Sequence, residues 1–149
     1  MAIFDKLLLA VDLTEDADQL LSRVLKVCAN EMEKVHVLHV LRSGIEDDFS
    51  AANDSNLFAI DAGKYQLRDQ TFVKLKSLLF RNSFDIADSQ IHIKSGEPAY
   101  EIKRLAHELS VDLVIVGSHC RQGGWLSLPG ATTNCVLQGI DSDVMAVRV

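Results

Sequence analysis

The 149-residue sequence is poor in cysteine, proline and tryptophan, with three, two and one respectively. The cysteines form no C-x-x-C pair and lie in no cluster with metal-ligand spacing, which excludes a disulfide framework and a zinc ribbon. Three free thiols fit a reducing compartment, so a cytoplasmic location is expected. No apolar run approaches the roughly 20 residues that a membrane helix needs. The opening stretch MAIFDKLLLAVDL is interrupted by Asp5 and Lys6 and has no small-residue cleavage site after it, so it is not expected to act as a signal peptide. Positive charge is also scarce. A formal net charge of −6 argues against a general nucleic-acid binder, which shows a basic stripe. A local anion site stays open, because main-chain amides supply one without net charge.

Several chemical signatures are missing too. There is no G-x-x-x-x-G-K-[ST] and no G-x-G-x-x-G, which removes the commonest phosphate loops. There is no H-E-x-x-H and no nucleophile elbow. No residue stands out as a nucleophile with a base and an orienting group, so no catalytic residue and no metal ligand set is expected.

What is present is a regular alternation. FDKLLLAVDL has strand length and is apolar on successive residues, as in a strand buried on both faces. From Glu15 the period changes: Ala17, Leu20, Leu21, Val24, Leu25 and Cys28 form a helix stripe, with Asp12 or Thr14 available as a cap. KVHVLHVL, residues 34–41, reads as a second buried strand. Residues 43–56 are polar and acidic, long for a connection, and read as a mobile lid over a ligand crevice. A second helix is expected over about 58–82, with Leu67, Thr71, Leu75 and Leu78 on one stripe. A third strand carries Ile91 and Ile93 inward and closes at Gly96. Pro98 suits the first turn of a third helix, with Ile102, Leu105, Ala106 and Leu109 on one face. VDLVIVG is the fourth strand. A short helix near 131–139 and a fifth strand, DVMAVRV, complete the chain. Strands alternating with helices imply a single α/β domain over residues 1–149, with a parallel sheet covered on both faces. Periodicity leaves the flavodoxin-like and Rossmann-like wrappings both open. Either places a ligand beyond the C-terminal strand ends, where the winding reverses.

Few residues are candidates for a site. Asp12 ends the first strand, where it caps the next helix or holds a ribose hydroxyl or a magnesium ion. His36 and His39 are three apart in one strand, so they face opposite ways and cannot chelate together. His39 is nearer the C-terminal strand end. His92 and His107 read as surface residues. The segment GSHCRQGGWLSLPGAT, residues 117–132, contains four glycines and no acid. Its main chain could wrap a phosphate, or its glycines only let the chain turn; beside Gly117, Ser118 is a candidate site residue, and His119 is either a solvated loop residue or lines a ligand crevice.

The segments LLLAVDLTED, VHVLHVL, SGEPAYEIKRLA, VDLVIVGS and CVLQGIDSDVMAVRV together resemble the universal stress protein family over nearly the whole chain. ATP-binding members of that family carry G-x-x-G, nine residues, then G-[ST]. Gly117 matches the first glycine, and Cys120 stands at the second. After nine intervening residues Gly130 matches the third, and Ala131, followed by Thr132, stands at the hydroxyl position. The resemblance implies a five-stranded parallel sheet in the order 3-2-1-4-5. It also implies adenine near Val11 and Val40, ribose near Asp12 and Gly117, and phosphates with magnesium on the amides of Gly130, Ala131 and Thr132, at a helix N-terminus. Cys120 and Ala131 imply that ATP binds weakly or not at all. The family further implies a homodimer through the last strand, from Val144 to Val149, in a stress-response factor. A slow ATPase or nucleotide-dependent transferase, and an interaction module with a vestigial crevice, are the rival readings. Neither nucleic acid nor membrane is an expected partner.

Overall fold

A computed structural model describes residues 3–42, 57–118 and 138–149 of the chain. Five strands form one parallel sheet: β1 (Leu7–Ala10), β2 (Val35–Leu41), β3 (Ile91–Ser95), β4 (Leu113–Ser118) and β5 (Asp143–Arg148). Their order is β3-β2-β1-β4-β5, as the resemblance implied. Three helices are described: α1 (Ala17–Cys28), α2 (Leu57–Arg81) and α3 (Pro98–Leu109). The expected helix near 131–139 lies outside the described residues except for its last two, which form a turn, with Gly139 at φ 74°. The lid expected at 43–56 also lies outside them.

The strands are apolar on both faces because both faces are covered. Leu7, Leu9, Val35, Val37, Ile91, Ile93 and Ile115 pack with the buried residues of α1 and α2. Leu8, Ala10, Leu38, Val40, Val114 and Val116 pack with Ile102, Leu105 and Ala106 of α3. Successive residues thus serve opposite layers, and all four residues of β1 are buried. Cys28 belongs to the α1 layer. Burial, aided by the nearby Glu31 charge, pushes its thiol up to about 11, so it behaves as a small apolar side chain.

Two local expectations are corrected. Neither Asp12 nor Thr14 caps α1: the N-cap position is Asp16, which makes no side-chain cap bond. The chain needs one more turn to leave the sheet, with Thr14 N–H donating to the Asp12 carbonyl and Ala17 N–H to that of Thr14. The α2 stripe is also shorter than the pattern suggests. Thr71, Leu75 and Leu78 are buried, but Leu67 is 43% exposed, because α2 extends beyond the sheet it covers. The α3 cap is regular: the Glu97 carboxylate accepts from Tyr100 N–H, with Pro98 in the first turn.

Asp112 fastens the start of β1 to the start of β4. Its two carboxylate oxygens accept from the N–H groups of Asp5 and Lys6, each at 2.8 Å. Desolvation would raise its pKa, but the main-chain N–H bonds outweigh that and hold it below the ordinary carboxylate value. A depressed carboxylate contributes stability that is present above the unfolded pKa and lost as pH falls through the folded one. Asp112→Ala is expected to cost about 1.5–3 kcal/mol at neutral pH. The deficit should begin to shrink below about pH 4, where the unfolded carboxylate protonates, and fade as pH falls through the lower folded value. Urea titrations across pH check this, and a deficit that stays constant with pH would contradict it.

Candidate functional site

The order of the strands creates a crevice. From β1 the chain proceeds outward through β2 to β3, then returns to place β4 on the other side of β1. Neighbouring connections therefore leave β1 and β4 in opposite directions, and a gap opens above their C-terminal ends. Ala10 pairs with Val116, so the register sets Gly117 opposite Val11, one residue before Asp12. The crevice is lined by Ala10, Asp12, Thr14, Asp16 and Ala17 on one side, with Leu20, Gly117 and Val149 opposite. It is shallow and open to solvent.

Gly117 is explained by room rather than by backbone strain. A Cβ there would lie 3.3 Å from Leu20 Cδ2 and 3.9 Å from Val149, crowding the floor of the crevice. Asp12 and Asp16 give the described lining a negative character, with no basic side chain among its residues. A bare polyphosphate is repelled by such a pair, whereas a ribose hydroxyl or a magnesium-bound phosphate is not.

The β1–β2 ladder ends at Ala10 and Leu38. Val11 lies just beyond it and is still held by β2 at both main-chain groups. Its N–H donates to the Leu38 carbonyl at 2.9 Å, and its carbonyl accepts from His39 Nδ1 at 2.8 Å. His39 is only 6% exposed. Because a carbonyl has no proton to give, Nδ1 carries the hydrogen in this bond.

Of the residues expected at the site, Asp12 and Gly117 line the crevice, and Val11 and Val40 stand at the end of the β1–β2 ladder beside it. The main chain of Ser118 closes β4. His119, Cys120, Gly130, Ala131 and Thr132 lie outside the described residues. Among the described residues no group of three or more His, Cys, Asp or Glu could hold a metal ion. No described helix is long and apolar enough to cross a membrane.

Residues 3–148 match the family model described as the universal stress protein family. The chain is 29% identical over 149 residues to universal stress protein A homolog 2 of Coxiella burnetii, covering 98% of this chain and 96% of that one. Two solved structures share the fold. One, the hypothetical protein MJ0577, aligns with a TM-score of 0.69 at 23% identity, over 99% of this chain and 97% of its own. The other, a universal stress protein solved in complex with cAMP, aligns with a TM-score of 0.56 at 16% identity, over 97% of this chain and 96% of its own.

A second histidine feature lies at the other end of the sheet. His92 is not the surface residue its sequence context suggests: it is half-buried, and its Nε2 meets His36 Nδ1 at 3.0 Å. The ring centroids are 5.3 Å apart, so the rings meet nitrogen to nitrogen rather than stacking. One must donate, so the pair tolerates one shared hydrogen between these nitrogens but not two. Burial first, then the Lys6 charge, lowers the pKa of His36. Burial, His36 and Lys94 lower that of His92, with Glu108 opposing. A histidine pKa lowered by folding gives stability that is full above the unfolded value, about 6.5, and lost as pH falls through the folded one. Acidification from pH 7.5 to 5 is expected to lower the melting temperature more in the wild type than in the His36→Gln/His92→Gln variant. An equal drop in the two proteins, followed by circular dichroism, would contradict the pairing.

Proposed function

The chain belongs to the universal stress protein family, and from that premise we propose that it is a cytoplasmic homodimeric stress-response factor whose β1–β4 crevice binds an adenine nucleotide weakly. The observation that carries the nucleotide reading is the crevice itself. A carboxylate at a strand end and a glycine with no side chain stand together where the strand order reverses. In this reading Asp12 holds the ribose hydroxyls. The base lies against Val11 and Val40, and Gly117 leaves room for the sugar. The described residues support the nucleoside half of this reading, and the family resemblance implies the amides of Gly130, Ala131 and Thr132 for the phosphates, with magnesium offsetting the aspartates. That a universal stress protein of the same fold was solved in complex with cAMP supports an adenine nucleotide as the ligand class. The absence of an activated nucleophile from the sequence favours binding over turnover.

The dimer reading rests on β5. It is the last strand of the sheet, and its outer edge has no partner strand among the described residues. Asp143, Ala146 and Arg148 are exposed along it, with Val144, Met145 and Val147 half-buried. An open edge of this kind pairs with its own copy across a two-fold axis. Deleting Val144 to Val149 is expected to give monomers or insoluble protein by light scattering. A soluble, folded dimer would rule out this interface.

The nucleotide reading is tested at the loop. A Cβ at position 120, if the main chain there needs the left-handed region, costs about 1–2 kcal/mol. A serine hydroxyl on a charged phosphate contributes about 1.5–3 kcal/mol. Cys120→Gly with Ala131→Ser is therefore expected to tighten binding of magnesium ATP by about two orders of magnitude. Calorimetric titration of both proteins measures it. Asp12→Ala in the same background should weaken binding again. No binding to either protein would favour an interaction module with a vestigial crevice.

A further inference from the structure

The His36–His92 contact ties an edge strand to the sheet. β3 stands at the end of the strand order, and its partner among the described strands is β2. Its five residues divide between two faces. Ile91 and Ile93 are buried with α1 and α2. Toward α3 the strand sends His92 and Lys94 and no apolar side chain. Among the described residues, the bond to His36 is the one side-chain hydrogen bond that β3 makes. The charges around this bond are mostly positive. Lys6, fixed by its own bond to the Leu109 carbonyl at 2.9 Å, acts on His36. Lys94 acts on His92, with Glu108 opposing it. Glu108 is already engaged by Arg104 at 2.9 Å, and His107 lies near it on α3.

We propose that His36 and His92 form an acid-operated latch: the second proton taken up by the pair breaks its hydrogen bond and releases the edge strand β3 from β2 while the rest of the sheet stays folded. The proton count carries the mechanism. With both rings neutral, one facing nitrogen holds a hydrogen and the other accepts it. A first proton goes to the outward nitrogen of the donating ring and leaves the bond in place. A second puts N–H groups on both facing nitrogens, which stand 3.0 Å apart. Two imidazolium rings, Lys6 and Lys94 then face Glu108, whose charge Arg104 already shares. The rings therefore titrate as a coupled pair. β3 can leave without breaking any other strand pairing, because β1 keeps both β2 and β4. Burial first, then the neighbouring cations, holds both histidines below their ordinary value in the closed strand. Opening restores that value, so closure is strongest above about pH 6.5 and weakens as pH falls below it. At pH 5, each ring that stays unprotonated in the closed state raises opening by up to about thirtyfold. The latch is independent of the nucleotide reading.

Amide hydrogen exchange, expressed as protection factors to remove its intrinsic pH dependence, tests the latch. Gly96 N–H bonds the Leu41 carbonyl, so by alternation the N–H groups of Lys94 and His92 also face β2. In the wild type their protection is expected to fall at least about tenfold from pH 7.5 to 5. At pH 5 it should also lie well below that of the β1 amides, because the opening is local. The His36→Gln/His92→Gln variant should show no such fall. His92→Lys, which sets a permanent charge against His36, should open β3 already at pH 7.5. Equal protection of β3 and β1 in the wild type at pH 5 overturns the latch, since the sheet would then unfold as a whole. An equal fall in the wild type and the double variant also overturns it. If His92→Lys does not fold, the ring 15N titration of the wild type takes its place. Two coupled steps at His36 and His92 support the latch, and two independent rings with ordinary midpoints overturn it.

Discussion

The reversal of strand order at β1 is the constraint on which the rest of this molecule depends. β1 is bonded to β2 on one side and β4 on the other, and connections leave the sheet in opposite senses around it. A parallel sheet must be covered on both faces, so the gap where the coverings separate cannot be filled by a helix. The crevice between Asp12 and Gly117 is thus a product of topology before any ligand is considered. The four buried residues of β1 hold the topology in place. They serve two apolar layers at once, and their substitution by smaller side chains would loosen both.

Main-chain hydrogen bonding then shapes the crevice. Buried carbonyls and N–H groups must find partners, and the Val11 carbonyl finds an imidazole where the ladder offers an amide. That exchange puts a polar side chain, 94% buried, at the mouth of an otherwise apolar layer. It also separates two roles that the histidines share out by position in β2. His36, near the strand's start, pairs with His92 under α3 and bears on stability at low pH. His39, near its end, holds the Val11 carbonyl. The two face opposite ways, as strand periodicity requires.

The element order and the two apolar layers were legible in the sequence because they follow from period. Runs apolar on successive residues marked the strands, and three- and four-residue steps marked α1 and α3. The choice of strand order was not periodic information and came from the resemblance. Leu67 misled because apolar spacing along a helix does not reveal where the sheet beneath it ends. Asp12 was ambiguous between cap and site because both roles need a carboxylate at a strand end. The extra turn through Thr14, which moves the helix start to Ala17, decides against the cap. His92 was missed because its partner lies 56 residues away on a neighbouring strand. No local pattern signals that contact, although two histidines on strands that become neighbours were a usable hint once the sheet order was known.

The central proposal is that the crevice at the end of β1 binds an adenine nucleotide. Amide chemical-shift mapping with magnesium ATP tests this most directly. The account predicts that the shifts gather at Val11, Asp12, Val40 and Gly117, with none at His36 or His92. Shifts confined to other parts of the surface at saturating nucleotide would contradict it.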